Sequence, residues 1–543
     1  MKVALAQVNC HVGNFEGNTR HFRDIIVDCK GKADLVVFPE LAVSGYPPLD
    51  FLDYQHFTDE CLKMIGIIAQ DCTDIDVIIG SPSVNPVKDG KNLFNSAFFL
   101  SEGKIMSVVH KTLLPTYDVF DEYRYFEPNS SFELITSGGK KIALTICEDL
   151  WNEEDDPMYV SSPMDHIMKK DPELIINIAA SPFDHTHEVK RKAILQRNVK
   201  KYNLPLVYVN HVGAQTDLIF DGGSLVMDVQ GQLISELPYF TEEVRIIDID
   251  DNSSSTVTRS SSLSKTEKIH KALVTGVQDY FQKMKFKTAT LGLSGGIDSA
   301  VVLAIAAEAL GSENVFPVLM PSQYSSDHSV TDSLELCNNL GVRPERISIQ
   351  SVFDELLDTL NPSFKNTQPD VTEENIQARI RGILLMALSN KFGHILLNTS
   401  NKSEIAVGYG TLYGDMCGGL SVIGDLYKTD VYDLARLLNK DHPVIPENII
   451  TKAPSAELRP DQKDTDSLPE YELIDKILYE YIEKQQGYDR ILKKGFEKEV
   501  VSKVLSLVNQ NEYKRFQFAP VLRVSPKCFG FGRRMPLVAK YLN

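Results

Sequence analysis

A glycine- and serine-rich stretch in the second half of the chain has the composition of a phosphate-binding loop. Its residues are Gly292, Leu293, Ser294, Gly295, Gly296, Ile297, Asp298 and Ser299. The preceding run 288–293 predicts a buried strand, and the Ala-rich run 300–310 predicts a helix. Unpaired N–H groups and the dipole at a helix N-terminus favour a polyphosphate. Because phosphates repel a carboxylate unless a divalent cation lies between them, Asp298 is a candidate Mg²⁺ ligand.

Three reactive side chains in the first half each follow a predicted strand. Glu40 follows the apolar run 35–38, Lys111 follows 105–110, and Cys147 follows 141–146. Each alone has an ordinary explanation, since Glu and Lys are common at strand ends and Cys is usually a small buried apolar residue. Together they supply a base, a cation and a thiol nucleophile, which is the minimum for activating the thiol and stabilising an oxyanion.

The elements that would position these residues alternate between strands and amphipathic helices. Strand-like runs in the first half are 3–8, 35–38, 77–79, 97–100, 142–146, 174–178, 206–209 and 224–227, and helical patterns cover 18–29 and 62–71. The second half has helical patterns at 265–283 and 374–390, and strand-like runs beginning at 315 and 394. This order predicts layered α/β domains with ligands at the carboxyl ends of parallel strands.

Composition limits the class of protein. A chain of 543 residues is too long for one hydrophobic core and predicts several domains. A formal net charge of −18 argues against nucleic-acid and anionic-membrane partners. Eight scattered cysteines without paired short spacing, and an N-terminus that already has a strand pattern, predict a cytoplasmic protein.

The Ser-rich run 251–264 predicts a linker between units 1–250 and 265–543.

The glycine-rich loop lacks the lysine of the Walker pattern. Its Ser-Gly-Gly-x-Asp-Ser sequence resembles the pyrophosphate loop of the N-type ATP pyrophosphatases. In that family the loop holds the part of ATP that leaves as pyrophosphate, while AMP is transferred to a substrate oxygen. GMP synthetases, asparagine synthetases, tRNA-modifying thiolases and lysidine synthetases share such a loop, so the loop alone does not choose a substrate. A glycine-rich turn without a ligand is the simpler alternative.

The segments around the three reactive residues resemble the catalytic segments of the nitrilase/amidase superfamily. They read Val37-Phe-Pro-Glu-Leu-Ala, His110-Lys-Thr-Leu-Leu-Pro-Thr-Tyr and Ile146-Cys-Glu-Asp-Leu-Trp. The resemblance implies an αββα sandwich in which Cys147 attacks an amide carbon and Glu40 moves the proton. It also implies that Lys111 and the backbone N–H of Glu148 hold the oxyanion. Water would then hydrolyse the thioester.

Smaller signals indicate which amide is cleaved. By resemblance to the glutaminase members of that superfamily, Tyr117, Glu148 and Ser181 would bind L-glutamine. Similar proteins usually have a Gly-Lys pair a few residues after the segment Ala179-Ala-Ser-Pro-Phe183, where this chain has Thr186 and His187. His187 or the nearby Lys190 would then replace the missing lysine at the glutamine carboxylate.

Seven segments after the loop resemble the NAD⁺ synthetases over residues 265–543. They begin at Met320, Asn375, Asn398, Gly408, Ile423, Pro454 and Asp466. The resemblance implies that the loop, Arg379 and Thr399 bind ATP, and that Asn375, Glu404 and Lys514 bind deamido-NAD⁺. Asp298 and Glu404 would hold Mg²⁺, although a carboxylate in the first turn of a helix also has a purely structural explanation.

As a whole, the chain resembles the bacterial glutamine-dependent NAD⁺ synthetases. The fold implied is α/β, with a nitrilase-like sandwich followed by a doubly wound parallel sheet. The activity implied is that of a C–N ligase, in which a glutaminase unit supplies ammonia and ATP activates the carboxylate of deamido-NAD⁺ as an AMP anhydride. The resemblance also implies a homo-oligomer. Three alternatives remain: another adenylated acceptor, a non-catalytic sensor of glutamine or ATP, and a simple amidase with an accessory domain.

Overall fold

The chain folds into two compact units. The computed structural model describes residues 1–87, 89–152, 157–250, 263–365, 367–460 and 462–540. The units comprise Met1–Ser262 and Leu263–Asn543. Residues 251–262 of the predicted linker lie outside the described residues. No helix among the described residues is long and apolar enough to cross a membrane.

The first unit alternates strands and helices over most of its length. In chain order the described elements are β1 Lys2–Gln7, α1 Phe15–Cys29, β2 Leu35–Val37, α2 Gln55–Ala69, β3 Asp76–Val84, β4 Leu93–Ser101, β5 Lys104–His110, β6 Ile135–Ser137, β7 Lys140–Ile146, α3 Pro163–Ile167, β8 Leu174–Ala179, α4 His187–Tyr202, β9 Leu206–Asn210, β10 Val212–Gln215, β11 Leu218–Asp221, β12 Leu225–Met227, β13 Leu233–Glu236 and β14 Glu243–Asp248. Short 3-10 turns follow at Leu49–Asp53, Glu122–Arg124, Cys147–Leu150 and Met168–Lys170.

Two six-stranded sheets form the body of this unit. Their strand orders are β14-β1-β2-β3-β4-β5 and β13-β12-β9-β8-β7-β6, and β10 pairs with β11 separately. Strand β2 shows how the layers form, because Leu35 and Val37 belong to the apolar cluster shared with the second sheet. Val36, pointing the other way, packs with Phe22 of α1 and the other residues of the helical side. The predicted αββα sandwich is confirmed.

The second unit is built around a parallel sheet. Its described elements are α5 Lys265–Met284, β15 Ala289–Gly292, α6 Ile297–Leu310, β16 Val315–Leu319, α7 Asp327–Leu340, β17 Glu345–Arg346, α8 Gln350–Leu360, α9 Val371–Phe392, β18 Ile395–Asn398, α10 Lys402–Val407, β19 Leu420–Ser421, α11 Lys428–Leu438, α12 Glu447–Thr451, α13 Tyr471–Leu478, α14 Tyr488–Leu492, α15 Lys498–Gln510 and α16 Glu512–Arg515. Two 3-10 turns, Ser312–Asn314 and Asp464–Asp466, and one π-helical turn, Tyr479–Glu483, complete it.

The strand order of this sheet reverses direction at β15. The order is β17-β16-β15-β18-β19, and all of the pairs are parallel. The chain runs outward from β15 through α6 and α7, and then returns through α8 and α9 to β18 on the opposite side. With right-handed crossovers, this order puts the two helix pairs on opposite faces and opens a crevice at the carboxyl end of β15. The predicted doubly wound sheet is confirmed.

Element boundaries are where sequence and structure differ most. The predicted strands 77–79 and 97–100 are the first part and the last part of longer strands, Asp76–Val84 and Leu93–Ser101. Antiparallel pairing of the two strands continues through Gly80 and Pro82, residue types that are uncommon inside strands. Helix α2 begins at Gln55, seven residues before the predicted 62–71, because its first turns carry too few apolar residues to show the periodicity.

Breaking a buried ion pair should destabilise the first unit. Arg191 donates to both carboxylate oxygens of Asp221 at 2.8 and 2.9 Å, and both side chains are buried. Asp221→Ala leaves the guanidinium uncompensated, so we expect a loss of about 3–5 kcal/mol. The single tryptophan of the chain, Trp151, lies in this unit, so the midpoint of urea unfolding followed by its fluorescence measures the loss.

The matched control is Glu133→Gln, which breaks the exposed ion pair with Lys170. It should change the free energy of unfolding by less than about 1 kcal/mol. Equal losses in the two variants would contradict the prediction.

Candidate active sites

The nucleophile of the first unit lies in a strained turn. Cys147 follows β7 directly and begins the 3-10 turn Cys147–Leu150. Its φ of +42° is in the left-handed region, which a side chain with a Cβ rarely adopts. Such strain is found at functional sites, where the surrounding structure holds it in place. Cys147 is 6% exposed, so its thiol is largely shielded from bulk solvent.

The base and the cation predicted from the sequence are directly hydrogen-bonded. Lys111 Nζ lies 2.7 Å from Glu40 Oε1 and 2.9 Å from Glu122 Oε1, and all three side chains are buried. Asn95 Nδ2 donates to both carboxylates, at 2.7 Å to Glu40 and 3.3 Å to Glu122. The second oxygen of Glu40 accepts from the backbone N–H of Ala180 at 2.8 Å. Glu40 thus accepts three hydrogen bonds, an arrangement suited to an ionised carboxylate.

The charges of this cluster determine where the protons lie. Burial raises the pKa of the Cys147 thiol well above its ordinary value, Glu40 raises it further, and Lys111 lowers it. Burial alone would lower the pKa of Lys111, but Glu122 and Glu40 raise it well above the usual value. Burial and Glu40 thus favour the neutral thiol, whereas the two carboxylates favour the charged form of Lys111. A carboxylate next to a thiol can accept its proton as the sulfur attacks.

The four residues predicted to bind glutamine fall into two hydrogen-bonded pairs. The Tyr117 hydroxyl donates to both oxygens of Glu148, at 2.9 and 3.1 Å. The Ser181 hydroxyl and His187 Nε2 are 2.7 Å apart, and the His187 ring stacks on Trp151 with ring centres separated by 5.1 Å. Burial raises the pKa of Glu148. One pair thus offers a carboxylate for an ammonium, and the other offers an imidazole and a hydroxyl for an anion.

The glycine-rich loop of the second unit connects β15 to α6, as predicted. Gly295 has φ +77°, and a Cβ there would lie 2.5 Å from the carbonyl oxygen of Ser329, so only glycine fits. Ser294 and Ser299 are linked through their hydroxyls at 3.1 Å. The N–H of Gly296 donates to the Ser294 hydroxyl at 3.2 Å. These hydrogen bonds hold the small polar groups of the loop together at the start of a fourteen-residue helix.

The two predicted Mg²⁺ carboxylates share one lysine. Lys428 Nζ lies 2.5 Å from Asp298 Oδ2 and 3.2 Å from Glu404 Oε1. Asn401 Nδ2 donates to Asp298 at 2.9 Å, and the Asn401 side-chain oxygen accepts from the N–H of Glu404 at 3.0 Å. Burial raises the pKa of Glu404, Lys428 lowers it, and Asp298 raises it. The described residues contain no cluster of three or more His, Cys, Asp or Glu side chains placed to hold a metal.

A cavity of about 280 Å³ lies at the carboxyl end of the parallel sheet. Its lining includes seven of the eight loop residues, all but Gly295, together with Thr399 and Glu404. Arg379, predicted to bind ATP, is exposed and donates instead to the carbonyl of Leu412 at 3.2 Å. The neighbouring Arg381 lines the cavity, and burial lowers its pKa to about 10.

The other two residues predicted to bind deamido-NAD⁺ both hold the segment that begins at Gly408. The Thr411 hydroxyl donates to Asn375 Oδ1 at 2.6 Å. Lys514 Nζ donates to the carbonyls of Gly408 and Gly410 at 2.8 and 2.9 Å. Asn375 and Lys514 therefore contact one loop, while Glu404 lies at the cavity with Asp298.

Several site residues were not predicted. Glu122 and Asn95 complete the cluster around Lys111, and Tyr159 donates to Glu148 at 3.1 Å. Glu457, with φ +50°, accepts from the hydroxyl of Ser329 at 2.7 Å beside the cavity. Asn95 and Glu457 lie 55 and 128 residues from Glu40 and Ser329, and Glu122 and Tyr159 each lie 11 residues after Lys111 and Glu148. None of these spacings predicts a contact from the sequence.

Known proteins resemble the whole chain. The sequence matches the family described as carbon-nitrogen hydrolase over residues 2–258 and the family described as NAD synthase over residues 269–518. It is 44% identical over 550 residues to the glutamine-dependent NAD(+) synthetase of Synechocystis sp. (strain ATCC 27184 / PCC 6803 / Kazusa), with 99% of each chain covered. It is 40% identical over 578 residues to that of Thermotoga maritima, covering 100% of this chain and 99% of the relative. A solved structure from Acinetobacter baumannii, a glutamine-dependent NAD+ synthetase in complex with adenosine diphosphate, is 39% identical with a TM-score of 0.79, covering 99% of this chain and 98% of that one.

Replacing the base should make the thiol more acidic while removing turnover. The Glu40 carboxylate raises the pKa of Cys147, so Glu40→Gln should lower that pKa. The measurement is the pH dependence of Cys147 alkylation by iodoacetamide, followed by peptide mass spectrometry. Amide cleavage should be lost because no base remains.

The exposed Glu102 supplies the matched control, since Glu102→Gln makes the same change at a surface ion pair outside the Lys111 cluster. It should leave the alkylation profile unchanged. A Cys147 midpoint that stays constant or rises in Glu40→Gln would show that the carboxylate does not set the protonation of the thiol.

Proposed function

The chain belongs to the glutamine-dependent NAD(+) synthetase family, and we propose how its residues divide that reaction between two active sites. The enzyme is an amidating ligase that takes nitrogen from glutamine and uses ATP. This division of the reaction between two sites rests on one observation, that each compact unit contains one complete set of reactive groups. Cys147, Glu40 and Lys111 lie in the first unit, and the phosphate-binding loop lies in the second.

In the first unit Cys147 attacks the side-chain amide carbon of L-glutamine. Glu40 takes the thiol proton and gives it to the departing ammonia, while Lys111 and the N–H of Glu148 stabilise the oxyanion. A γ-glutamyl thioester remains on Cys147, and water hydrolyses it to glutamate with Glu40 as the base. The buried ion pair between Glu40 and Lys111 supports these roles, since both charges are present before substrate binds.

Contacts around the pocket support glutamine as the amide. Glu148, held by two tyrosine hydroxyls, offers a negative charge to the α-ammonium. Ser181 and His187 offer hydrogen bonds to the α-carboxylate, with Lys190 close by over the Trp151 ring at 5.6 Å. A site that pairs both the α-ammonium and the α-carboxylate selects an amino-acid amide over a simple amide, because an unpaired buried charge is costly.

In the second unit ATP activates the carboxylate of deamido-NAD⁺. The loop from Gly292 to Ser299, with Thr399 beside it, binds the phosphates that leave as pyrophosphate. A carboxylate oxygen of the dinucleotide attacks the α-phosphorus, giving an AMP anhydride and pyrophosphate. Ammonia then displaces AMP and forms the amide of NAD⁺. Asn375, Glu404 and Lys514 bind the dinucleotide, and Arg381 is better placed than Arg379 to meet phosphates.

The carboxylates at this cavity fit a magnesium ion. Asp298 and Glu404 come close enough to share one ammonium, that of Lys428, and Mg²⁺ is commonly held by one or two carboxylates together with substrate phosphates. When bound, the ion would offset the negative charge of the polyphosphate beside Asp298. The Asn401 side chain donates to the Asp298 carboxylate, and the Asn401 backbone N–H donates to the Glu404 carboxylate at 3.4 Å.

The proposal also includes the domain bounds, the cellular compartment and the oligomeric state. The domains are 1–250 and 265–543, joined by the linker 251–264. The enzyme acts in the cytoplasm, in agreement with its eight free cysteines. It assembles as a homo-oligomer and uses small-molecule substrates without nucleic-acid or membrane partners, in agreement with a formal net charge of −18.

Removing the thiol should separate the two reactions. Cys147→Ala should lower NAD⁺ formation from glutamine by more than about 1,000-fold, because no thioester forms. NAD⁺ formation from ammonium chloride, measured with deamido-NAD⁺, ATP and Mg²⁺, should be unchanged. Cys72→Ala, at another buried cysteine of the first unit, should retain both activities. Loss of the ammonium-dependent activity in Cys147→Ala would contradict the division of labour.

Neutralising Asp298 should affect both nitrogen sources equally. Asp298→Asn is expected to raise the Mg²⁺ concentration for half-maximal NAD⁺ formation by about tenfold or more, since one charged ligand is lost. A Mg²⁺ titration with glutamine or ammonium chloride measures this. Asp358→Asn, on an exposed face of α8, is the control and should leave the titration unchanged. An unchanged Mg²⁺ requirement in Asp298→Asn would reject the assignment.

A further inference from the structure

Asp149 is a buried carboxylate that no step of the glutaminase reaction uses. It lies two residues after Cys147 and is only 3% exposed. Its Oδ2 accepts from the N–H of Ile146 at 3.0 Å. Its Oδ1 accepts from the N–H groups of Thr112 and Leu113, both at 2.9 Å. One side chain therefore binds the residue before the nucleophile and the two residues after the catalytic lysine.

The two segments joined by Asp149 belong to different sheets. Cys147 follows β7 of the second sheet, whereas Lys111 follows β5 at the edge of the first. Apolar packing holds the sheets together but is not directional. Hydrogen bonds to a charged acceptor are short and have a preferred geometry. The separation of nucleophile and lysine is thus set by direct bonds such as these, rather than by the core alone.

Both groups that stabilise the oxyanion depend on the hydrogen bonds that Asp149 accepts. The Lys111 side chain starts from the segment that Asp149 Oδ1 holds, and the Glu148 N–H lies in the turn that Asp149 Oδ2 closes. That turn keeps Cys147 at a φ of +42°. A backbone in this region costs about 1–3 kcal/mol and persists only where its surroundings hold it.

We propose that Asp149 is a positioning residue of the glutaminase centre, which fixes the Cys147 turn and the Lys111 segment at the separation that amide cleavage requires. The inference rests on the proposed glutaminase function. It adds a residue that touches neither glutamine nor the reacting atoms and acts through the backbone of those that do. The alternative is that Asp149 only stabilises its own turn.

Asp149→Asn tests the bridge with almost no change in size. If the amide oxygen keeps its bonds to Thr112 and Leu113, the amide NH₂ faces the N–H of Ile146, so two donors oppose each other. If the amide is reversed, the two bonds on the lysine side are lost. In either orientation one segment is released. We expect kcat for glutamine hydrolysis to fall by about 100-fold, because small misplacements of reacting groups have effects of that size.

The division between kcat and KM distinguishes positioning from damage to the pocket. KM for glutamine should change by less than about threefold, since the pairs Tyr117–Glu148 and Ser181–His187 remain (an effect of up to about 0.6 kcal/mol). NAD⁺ formation from ammonium chloride should be unchanged in the full-length enzyme. The unfolding midpoint followed by Trp151 fluorescence shows whether the first unit is folded under the assay conditions.

Two further variants complete the test. Asp228→Asn is the matched control, because Asp228 Oδ1 accepts from the N–H groups of Gln230 and Gln232 at 2.9 and 2.8 Å within one turn. It should keep full kcat. Asp149→Glu keeps the charge but displaces both oxygens by one methylene, and should lose kcat as Asp149→Asn does. It provides the measurement if Asp149→Asn fails to fold.

Normal kcat in either folded Asp149 variant would overturn the proposal. So would a loss of kcat that only parallels the fraction of unfolded protein, since Asp149 would then be purely structural. Failure of the underlying glutaminase assignment has a different signature, namely glutamine-dependent NAD⁺ formation that survives in Cys147→Ala.

Discussion

The glutaminase centre depends on one lysine ammonium shared by two buried carboxylates. Lys111, Glu40 and Glu122 are each 5% exposed or less, and burying ionisable groups is costly unless each has partners. Asn95 and the Lys111 ammonium bond both carboxylates, and the second sheet supplies the N–H of Ala180 to Glu40. His211, directly after β9 of the second sheet, donates to the carbonyl oxygen of Glu40 at 2.6 Å. The sandwich is therefore required by the charges as much as by the apolar core, because neither sheet alone satisfies the cluster.

The second unit uses the same arrangement in a more open form. Lys428 lies between Asp298 and Glu404 as Lys111 lies between Glu40 and Glu122, but these two carboxylates retain 17% and 16% exposure of their side chains. In the closed cluster the charges are screened little, which suits proton transfer to and from sulfur. In the open cluster the carboxylates can be reached by a charged ligand. The difference in exposure corresponds to the difference between amide cleavage and phosphoryl chemistry.

The sequence predicted local features well and contacts through space poorly. Glu40, Lys111 and Cys147 were identified because each follows an apolar strand, and the loop 292–299 because its composition is rare outside phosphate sites. Glu122 and Asn95 were missed because they lie on different elements from Glu40. The hydrophobic periodicity of a sequence does not show which elements lie close together in space. Arg379 and Arg381 show a second limit. They are two residues apart on α9, which turns about 200° between them, so a motif containing both does not tell which faces the cavity.

His187 shows how a departure from the pattern of similar proteins can be understood from its neighbours. A lysine reaches an anion with a flexible side chain and loses rotamer freedom on binding. The His187 ring is already fixed, since it stacks on Trp151 and lies 2.7 Å from the Ser181 hydroxyl. Lys190 lies over the same indole ring, one helical turn further along α4. Within the proposed glutamine pocket, the fixed imidazole would give direction to the hydrogen bond and Lys190 would supply the positive charge. On this proposal, two side chains one turn apart on one helix would share the roles that a single lysine combines.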